Sequence, residues 1–137
     1  MIEGTRKDTK MRAQVIVALI TGMTAAVPAA GAAEATAAPD TFLLLGVSSG
    51  GHEQFVTLHC DPASGTHPHA EATCNALLAA GGDIDQVVGQ PDTLCPDIYD
   101  PATATASGHY QGVQLIFRRT YPNHCELDTK TAPVFQF

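Results

Sequence analysis

Four cysteines, Cys60, Cys74, Cys95 and Cys125, restrict the folds that are open to this chain. An even number of cysteines in a short secreted chain is typical of a disulfide framework. Four cysteines allow three pairings. Each bridge stabilises a domain by about 2–4 kcal/mol, because it restricts the unfolded chain. A domain of about 100 residues has a modest core, so that two bridges supply a large share of its net stability.

The N-terminal residues predict a secretory signal peptide. An apolar run from Ala13 to Val27 follows a basic start, and small residues occupy positions 28–33. This order is typical of a leader with an Ala-x-Ala-like end. We therefore expect a leader over residues 1–33, cleavage between about residues 30 and 38, and a secreted protein. A transmembrane anchor is the alternative, because the run approaches the length that spans a bilayer. The basic residues of the start are Arg6, Lys7, Lys10 and Arg12.

The rest of the chain is strongly acidic. Residues 34–137 carry three basic and twelve acidic side chains, which gives a formal net charge of −9. Nucleic-acid binding requires the opposite sign, because Lys and Arg must neutralise phosphates. An anionic membrane surface repels the same charge. We therefore expect neither a nucleic acid nor a membrane as a partner.

The pattern of apolar residues predicts one α+β domain over residues 41–137, preceded by a mobile arm at residues 34–40. Its fold is a five-stranded, mainly antiparallel sheet with one or two short helices. Alternation is clearest where Val56, Leu58 and Cys60 oppose Phe55, Thr57 and His59, as in a half-buried strand. The strand-like runs cover residues 41–48, 53–60, 102–107, 110–121 and 134–137.

Turn and capping residues place the helices and one hairpin. Pro68 suits the first turn of a helix that ends at Gly81–Gly82, with Cys74, Leu77 and Leu78 on one face. Cys74 can then reach Cys60 at the end of its strand. Asp83 caps a second short turn, and Ser107–His109 forms a hairpin turn.

Two chemical functions are disfavoured by the residues. The chain has no Gly-x-Ser-x-Gly elbow and no phosphate-binding Gly-x-x-x-x-Gly-Lys-[Ser/Thr] loop, so we expect no enzymatic activity and no cofactor. Cys60, His67, His69 and Cys74 are the ligand types of a zinc site. Zinc sites usually use short paired spacings, and in an oxidising compartment a disulfide is favoured. We therefore expect no metal and a structural role for His67.

The segment from Leu94 to Pro101 predicts a stiff, exposed loop. Pro96 fixes its own φ and favours an extended Cys95, and Pro101 has the same effect on Asp100. A stiff extended loop tied down by a disulfide is a substrate-like ligand for a protease cleft. Taken alone, the segment favours a disulfide-anchored turn between helix and sheet without a partner.

The segment Cys95–Pro101 resembles the reactive-site loop of the Streptomyces subtilisin inhibitor family, and the resemblance extends over roughly residues 41–137. The family binds serine endopeptidases. The resemblance implies the sequential disulfides Cys60–Cys74 and Cys95–Cys125, which is also the simplest of the three pairings. The other matching pieces are Val56–Cys60, Gly65–Pro68, Cys74–Leu77, Gly81–Asp83, Asn123–Glu126 and Val134–Phe137.

The resemblance also implies which residues meet the protease. The scissile bond is Asp97–Ile98, and Leu94 fills the subsite three residues before the specificity residue. Family members form homodimers through sheet faces, and the apolar material for packing is Val113, Leu115, Phe117, Phe135 and Phe137. The protease-contacting residues are Leu94, Cys95, Pro96, Asp97, Ile98 and Tyr99.

Asp97 departs from the family's pattern, because members commonly have a large apolar or a basic residue at this position. An unpaired carboxylate in an apolar pocket costs several kcal/mol. We therefore expect either weak inhibition of subtilisin or a target that prefers Glu or Asp. The alternative is a secreted binding or structural protein on the same scaffold without inhibitory activity.

Overall fold

The computed structural model describes residues 40–137. The leader expected over residues 1–33, and the arm up to residue 39, therefore lie outside the described residues. No helix within the described part of the chain is long and apolar enough to cross a membrane.

A single antiparallel sheet of five strands organises these residues. Its strand order is β3-β2-β1-β4-β5, so that β1 lies at the centre. This is the predicted fold class, and the alternation predicted for β2 is confirmed. The strands are β1 Thr41–Ser49, β2 His52–Cys60, β3 Ser64–Gly65, β4 Ala102–Tyr110 and β5 Val113–Tyr121.

The hydrophobic core lies on one face of this sheet. Successive side chains of a strand point to opposite faces, so Leu43 and Leu45 of β1 point inward together with Leu58 of β2, all fully buried. The helices and the C-terminal segment cover that face with Leu77, Leu127, Val134 and Phe135, which are also fully buried. The opposite face carries the partly exposed Phe42, Leu44, Phe55 and Ile116.

Two α-helices and a 3₁₀ turn pack beneath the sheet. They are α1 Ala70–Ala79, α2 His124–Thr131 and the turn Ile84–Gln86. Pro68 does not lie in the first turn of α1, where we expected it, but immediately before the N-cap residue His69. The helix ends as predicted, because Gly81 N–H bonds to Leu78 O and Gly82 N–H bonds to Leu77 O. The Asp83 side chain accepts a hydrogen bond from the Asp85 N–H at 3.0 Å, which confirms its capping role. Leu78 does not share the buried face, because it is 64% exposed.

One turn prediction and one strand prediction were wrong. The β4–β5 hairpin turns at Gln111–Gly112 and not at Ser107–His109, which lies inside β4. Gly108 serves a close approach there, since a Cβ at its φ of +143° would overlap the carbonyl oxygen of Phe42 on β1. Residues 134–137 form no strand, and the fifth strand is instead Ser64–Gly65.

The Cys60–Cys74 disulfide joins the end of β2 to α1, as predicted. Its Cα atoms are 5.7 Å apart, within the usual range for a disulfide. Because both sulfurs are in this bond, the alternative zinc set loses two of its four ligands. Within the described residues no group of three or more His, Cys, Asp or Glu can hold a metal ion.

His67 is a structural residue that fastens the C-terminal segment to the start of α1. Its Nδ1 accepts a hydrogen bond from the His69 N–H at 2.9 Å, and its Nε2 lies 3.0 Å from Val134 O. Because a carbonyl oxygen can only accept, Nε2 carries the proton and the ring is neutral. Burial is the main cause that lowers the pKa of His67 below the ordinary value of 6.5.

This lowered pKa makes stability depend on pH. The unfolded chain takes up a proton near pH 6.5 while the folded protein resists it. We therefore expect this contribution to the free energy of unfolding to be complete above pH 6.5 and to be lost as pH falls below it. Urea unfolding between pH 8 and pH 5 measures the effect, with His67→Gln as a non-titrating control. Equal pH slopes in the two proteins would contradict this role.

Candidate functional site

The chain from residue 87 to residue 101 forms one long loop between the 3₁₀ turn and β4. Its apolar side chains around Asp97 point into solvent, with Leu94 95%, Tyr99 82% and Ile98 57% exposed, whereas Val87 at its start is buried in the core. Transfer of apolar groups out of water lowers the free energy, so this exposure fits a surface that is covered by a partner. Asp97 and Pro96 are exposed as well, and Cys95 is half-buried.

A disulfide ties this loop to α2. Cys95 is bonded to Cys125 in the first turn of the helix, with the Cα atoms 5.6 Å apart. This is the predicted pairing, and it leaves no free cysteine within residues 40–137. The Cys95 Sγ also lies 3.3 Å from the Thr129 hydroxyl oxygen, one helical turn further along α2. The residue two positions before Asp97 is therefore fixed to the domain.

Asn123 holds the loop on both sides of Asp97. Its side-chain Nδ2 donates to Pro96 O at 3.2 Å and to Ile98 O at 2.8 Å. Its Oδ1 accepts from the Glu126 N–H at 2.9 Å, so the same side chain caps α2. Sequence reasoning missed this residue. The spacing of Asn123 and Glu126, which is that of a helix N-cap and its third residue, was the available signal.

Backbone hydrogen bonds complete the support of the loop. The Ile98 N–H donates to Pro96 O at 2.9 Å, which closes a tight turn around Asp97. The Asp100 N–H donates to Pro122 O at 2.9 Å, immediately before Ala102 begins β4. The two halves of the loop thus have separate anchors. A cut between Asp97 and Ile98 would leave the first half on α2 and the second half on the sheet.

The Asp97 carboxylate points to the exterior of this supported loop. It takes part in none of the ion pairs that residues 40–137 form. The three acids that are paired in those residues, Asp85, Glu126 and Asp128, lie elsewhere. A carboxylate at the tip that has no ion-pair partner in this part of the chain suits a positively charged pocket better than an apolar one.

Removing the Asn123 side chain should loosen the loop. We expect Asn123→Ala to accelerate cleavage of the loop by a protease at least tenfold, because two carbonyl groups lose their common donor. Loss of the helix cap should also lower stability by about 1 kcal/mol. Loop cleavage is followed by mass spectrometry, and stability by urea unfolding.

Asn123→Asp separates the two roles of this side chain. The carboxylate keeps an acceptor for the Glu126 N–H but has no donor for Pro96 O and Ile98 O. It should therefore retain most of the stability while its loop is cut as fast as that of Asn123→Ala. If Asn123→Asp resists cleavage like the wild type, the side-chain amide does not hold the loop.

Sequence comparison finds relatives that are named as protease inhibitors. The subtilisin inhibitor-like family model matches residues 40–123. The subtilisin inhibitor of Streptomyces albogriseolus is 41% identical over 86 residues, which are 62% of this chain and 60% of that protein. The trypsin inhibitor STI2 of Streptomyces longisporus is 34% identical over 123 residues, 86% of this chain and 85% of that protein. This chain thus spans about three fifths of the first of these relatives.

Structure comparison gives a similar result. Sermetstatin of Streptomyces caespitosus, solved in complex with subtilisin of Bacillus licheniformis, superposes with a TM-score of 0.61 at 30% sequence identity. The match covers 72% of this chain and 99% of the sermetstatin chain. The sheet, the helices and the loop support described above therefore occur in a chain whose fold is that of a protease-bound inhibitor.

Proposed function

Because the chain belongs to the subtilisin inhibitor-like family, we propose that it is a secreted inhibitor of serine endopeptidases whose scissile bond is Asp97–Ile98. The family consists of protease inhibitors and not of enzymes. The observation that carries the proposal is the loop itself, which is exposed at its tip and anchored on both sides of Asp97.

The loop binds the protease as a substrate does. Residues 94–99 lie along the enzyme cleft and pair with its backbone, as in β-augmentation. The disulfide and Asn123 fix the loop before binding, so that little conformational entropy is lost in the complex. Complexes of this type bury about 1,600 Å² and include some of the tightest known.

The same anchors account for slow turnover. When Asp97–Ile98 is cut, the Asp97 carbonyl forms an ester with the protease serine, and the proton of that serine passes to the new amine of Ile98. The Cys95–Cys125 disulfide and the Pro96 O hydrogen bond keep the acyl segment on the domain, and the Ile98 O hydrogen bond keeps the amine near Asn123. The amine is then present at a high effective concentration beside the acyl-enzyme. Re-formation of the peptide bond competes with hydrolysis, and the enzyme remains occupied.

Asp97 selects the class of target. In an apolar specificity pocket its carboxylate loses water without gaining a partner, which costs several kcal/mol. In a pocket lined by Arg, Lys or His it forms charge-assisted hydrogen bonds. We therefore propose a serine endopeptidase that prefers Glu or Asp as the better target, with weaker inhibition of subtilisin-like enzymes.

Titration of the purified protein against three proteases tests this function. Subtilisin, trypsin and a glutamyl endopeptidase offer an apolar, an acidic and a basic pocket. We expect the tightest inhibition of the glutamyl endopeptidase. Inhibition of none of a broad panel of serine endopeptidases would favour the second candidate, a non-inhibitory binding protein on the same scaffold, for which Asp97 is the supporting feature.

Secretion and processing belong to the same proposal. The leader over residues 1–33 and the arm over residues 34–40 precede the inhibitor domain at residues 41–137. Two disulfides in the described domain fit an oxidising compartment. N-terminal sequencing of protein from a culture medium tests the cleavage expected between about residues 30 and 38.

The outer face of the sheet supports a homodimer as part of this proposal. Phe117 packs at 5.9 Å on the buried Phe135, so Leu115 and Phe117 of β5 face the core, while Val113 at the start of the strand is 71% exposed. The outer face instead exposes Phe42, Leu44 and Phe55. By the pairing of the strands, this face also carries one acidic residue, Glu53, and one arginine, Arg118.

A second copy suits this face because the rest of the protein is strongly acidic and repels another copy. Sedimentation equilibrium at micromolar concentration should give twice the mass of the chain. A monomer mass would remove the dimer from the proposal and leave the inhibitory loop unaffected.

A further inference from the structure

The first limb of the loop, residues 89–94, begins flush against the last turn of α2. The Gln90 N–H donates to Thr129 O at 2.6 Å. Gly89 has a φ of +68°, and a Cβ there would overlap Thr129 O and lie 2.9 Å from the carbonyl carbon of Lys130. Only glycine combines this backbone conformation with so close an approach.

The far end of the same limb is fixed to the same helix. Cys95 is bonded to Cys125, and its sulfur contacts the Thr129 hydroxyl group at 3.3 Å. Within the limb, the Thr93 N–H donates to Gln90 O at 3.1 Å. A segment that is fixed at both ends and braced between them has few conformations available. The limb therefore delivers Cys95 and Asp97 in a defined position.

We propose that Gly89 is a positioning residue for inhibition, because its close approach to Thr129 holds the limb against α2. This limb carries Leu94 and leads to the acyl side of the scissile bond. Gly89 lies eight positions before Asp97 and acts through the limb. Any Cβ pushes the limb away from α2 and breaks the Gln90–Thr129 hydrogen bond. The loop then moves more freely, binding becomes weaker, and the separated ends meet less often. This inference rests on the proposed inhibitory function.

Gly89→Ala tests the proposal, with Gly81→Ala as a matched control. Gly81 has a nearly equal φ of +64°, but a Cβ at this position meets no atom within 4 Å. Both variants strain a left-handed backbone, so both should unfold at a lower temperature than the wild type. Only Gly89→Ala also displaces the loop. Gly81 follows the C-terminus of α1, and its neighbour Gly82 lies against Tyr110, at the opposite end of β4 from Ala102.

We expect Gly89→Ala to raise the inhibition constant for the best-inhibited protease at least tenfold, and to raise the rate of Asp97–Ile98 hydrolysis in parallel. Gly81→Ala should stay within twofold of the wild type in both quantities. If the folded Gly89→Ala inhibits like Gly81→Ala, the contact between Gly89 and Thr129 has no role in inhibition and the proposal is overturned.

Amide hydrogen exchange tests the contact between the limb and α2 without a protease. Gln90 is exposed to solvent, yet its backbone N–H should exchange slowly in the wild type and faster in Gly89→Ala. Rapid exchange at Gln90 in the wild type would overturn the proposal, even if the variant does not fold. A protected Gln90 amide in a protein that inhibits no protease would confirm the contact between the limb and α2 but reject the inhibitory function.

Discussion

Replacing Asp97 with Leu or Met should strengthen inhibition of subtilisin at least tenfold. The exposed carboxylate has no ion-pair partner within residues 40–137, and an apolar pocket offers it none. Leu or Met removes a desolvation cost of several kcal/mol and adds apolar burial. Each 1.4 kcal/mol corresponds to a tenfold change in affinity. Inhibition constants measured at one pH and one ionic strength give the result.

The same substitutions should have the opposite effect on a glutamyl endopeptidase, because its basic pocket loses its partner. Asp92→Leu is the matched control, since Asp92 is an exposed acid of the same loop five residues earlier. It should leave both inhibition constants nearly unchanged. If Asp97→Leu and Asp92→Leu are equivalent, Asp97 does not occupy the specificity position.

Removing the Cys95–Cys125 bridge should convert the proposed inhibitor into an ordinary substrate. The double variant Cys95→Ser/Cys125→Ser keeps the loop sequence but loses the covalent anchor on the acyl side. After cleavage the acyl half can leave the domain, so that hydrolysis outpaces re-formation of the bond. We expect transient inhibition followed by full recovery of protease activity, with Asp97–Ile98 cut stoichiometrically.

The other bridge separates this effect from stability. Cys60→Ser/Cys74→Ser removes a disulfide that closes a shorter loop, of sequence separation 14 against 30. Each bridge contributes about 3–4 kcal/mol by the chain-entropy relation. Both variants should therefore lose similar stability, while only the first loses lasting inhibition at a temperature where both are folded. Lasting inhibition by Cys95→Ser/Cys125→Ser would reject the covalent anchor.

Several features were readable from the residues because they depend on local rules. The alternation of β2, the Gly81 end of α1 and the Asp83 cap each follow from backbone geometry over a few positions. Cys-Pro at one end of the loop and Asp-Pro at the other predicted a stiff segment, and the structure shows it exposed. The position of Asp97 in the family's loop pattern came from the same short segment.

Other predictions failed because a short sequence pattern does not show which distant part of the chain it packs against. The run Val134–Phe137 alternates like a strand, but its first two residues are fully buried beneath the sheet and pair with no strand. α2 buries only Leu127 and Thr131 among eight residues, which is too weak an apolar stripe to predict a helix. Gly108 suggested a turn, whereas the structure uses it for a close approach to β1.

The sequence alone determined the fold class, the disulfide framework through its resemblance, and the acidic residue that the loop presents. These features could be predicted because backbone preferences depend on a few neighbouring residues, and because the cysteines stand in a recognisable pattern along the chain. Only the tertiary structure decided what makes the loop rigid. Asn123 donates to Ile98 of the loop across 25 positions of chain, and Gly89 of the loop lies against Thr129 of α2 across 40 positions. Contacts between such distant positions arise when the packed core brings α2 beneath the loop, and no local pattern encodes them.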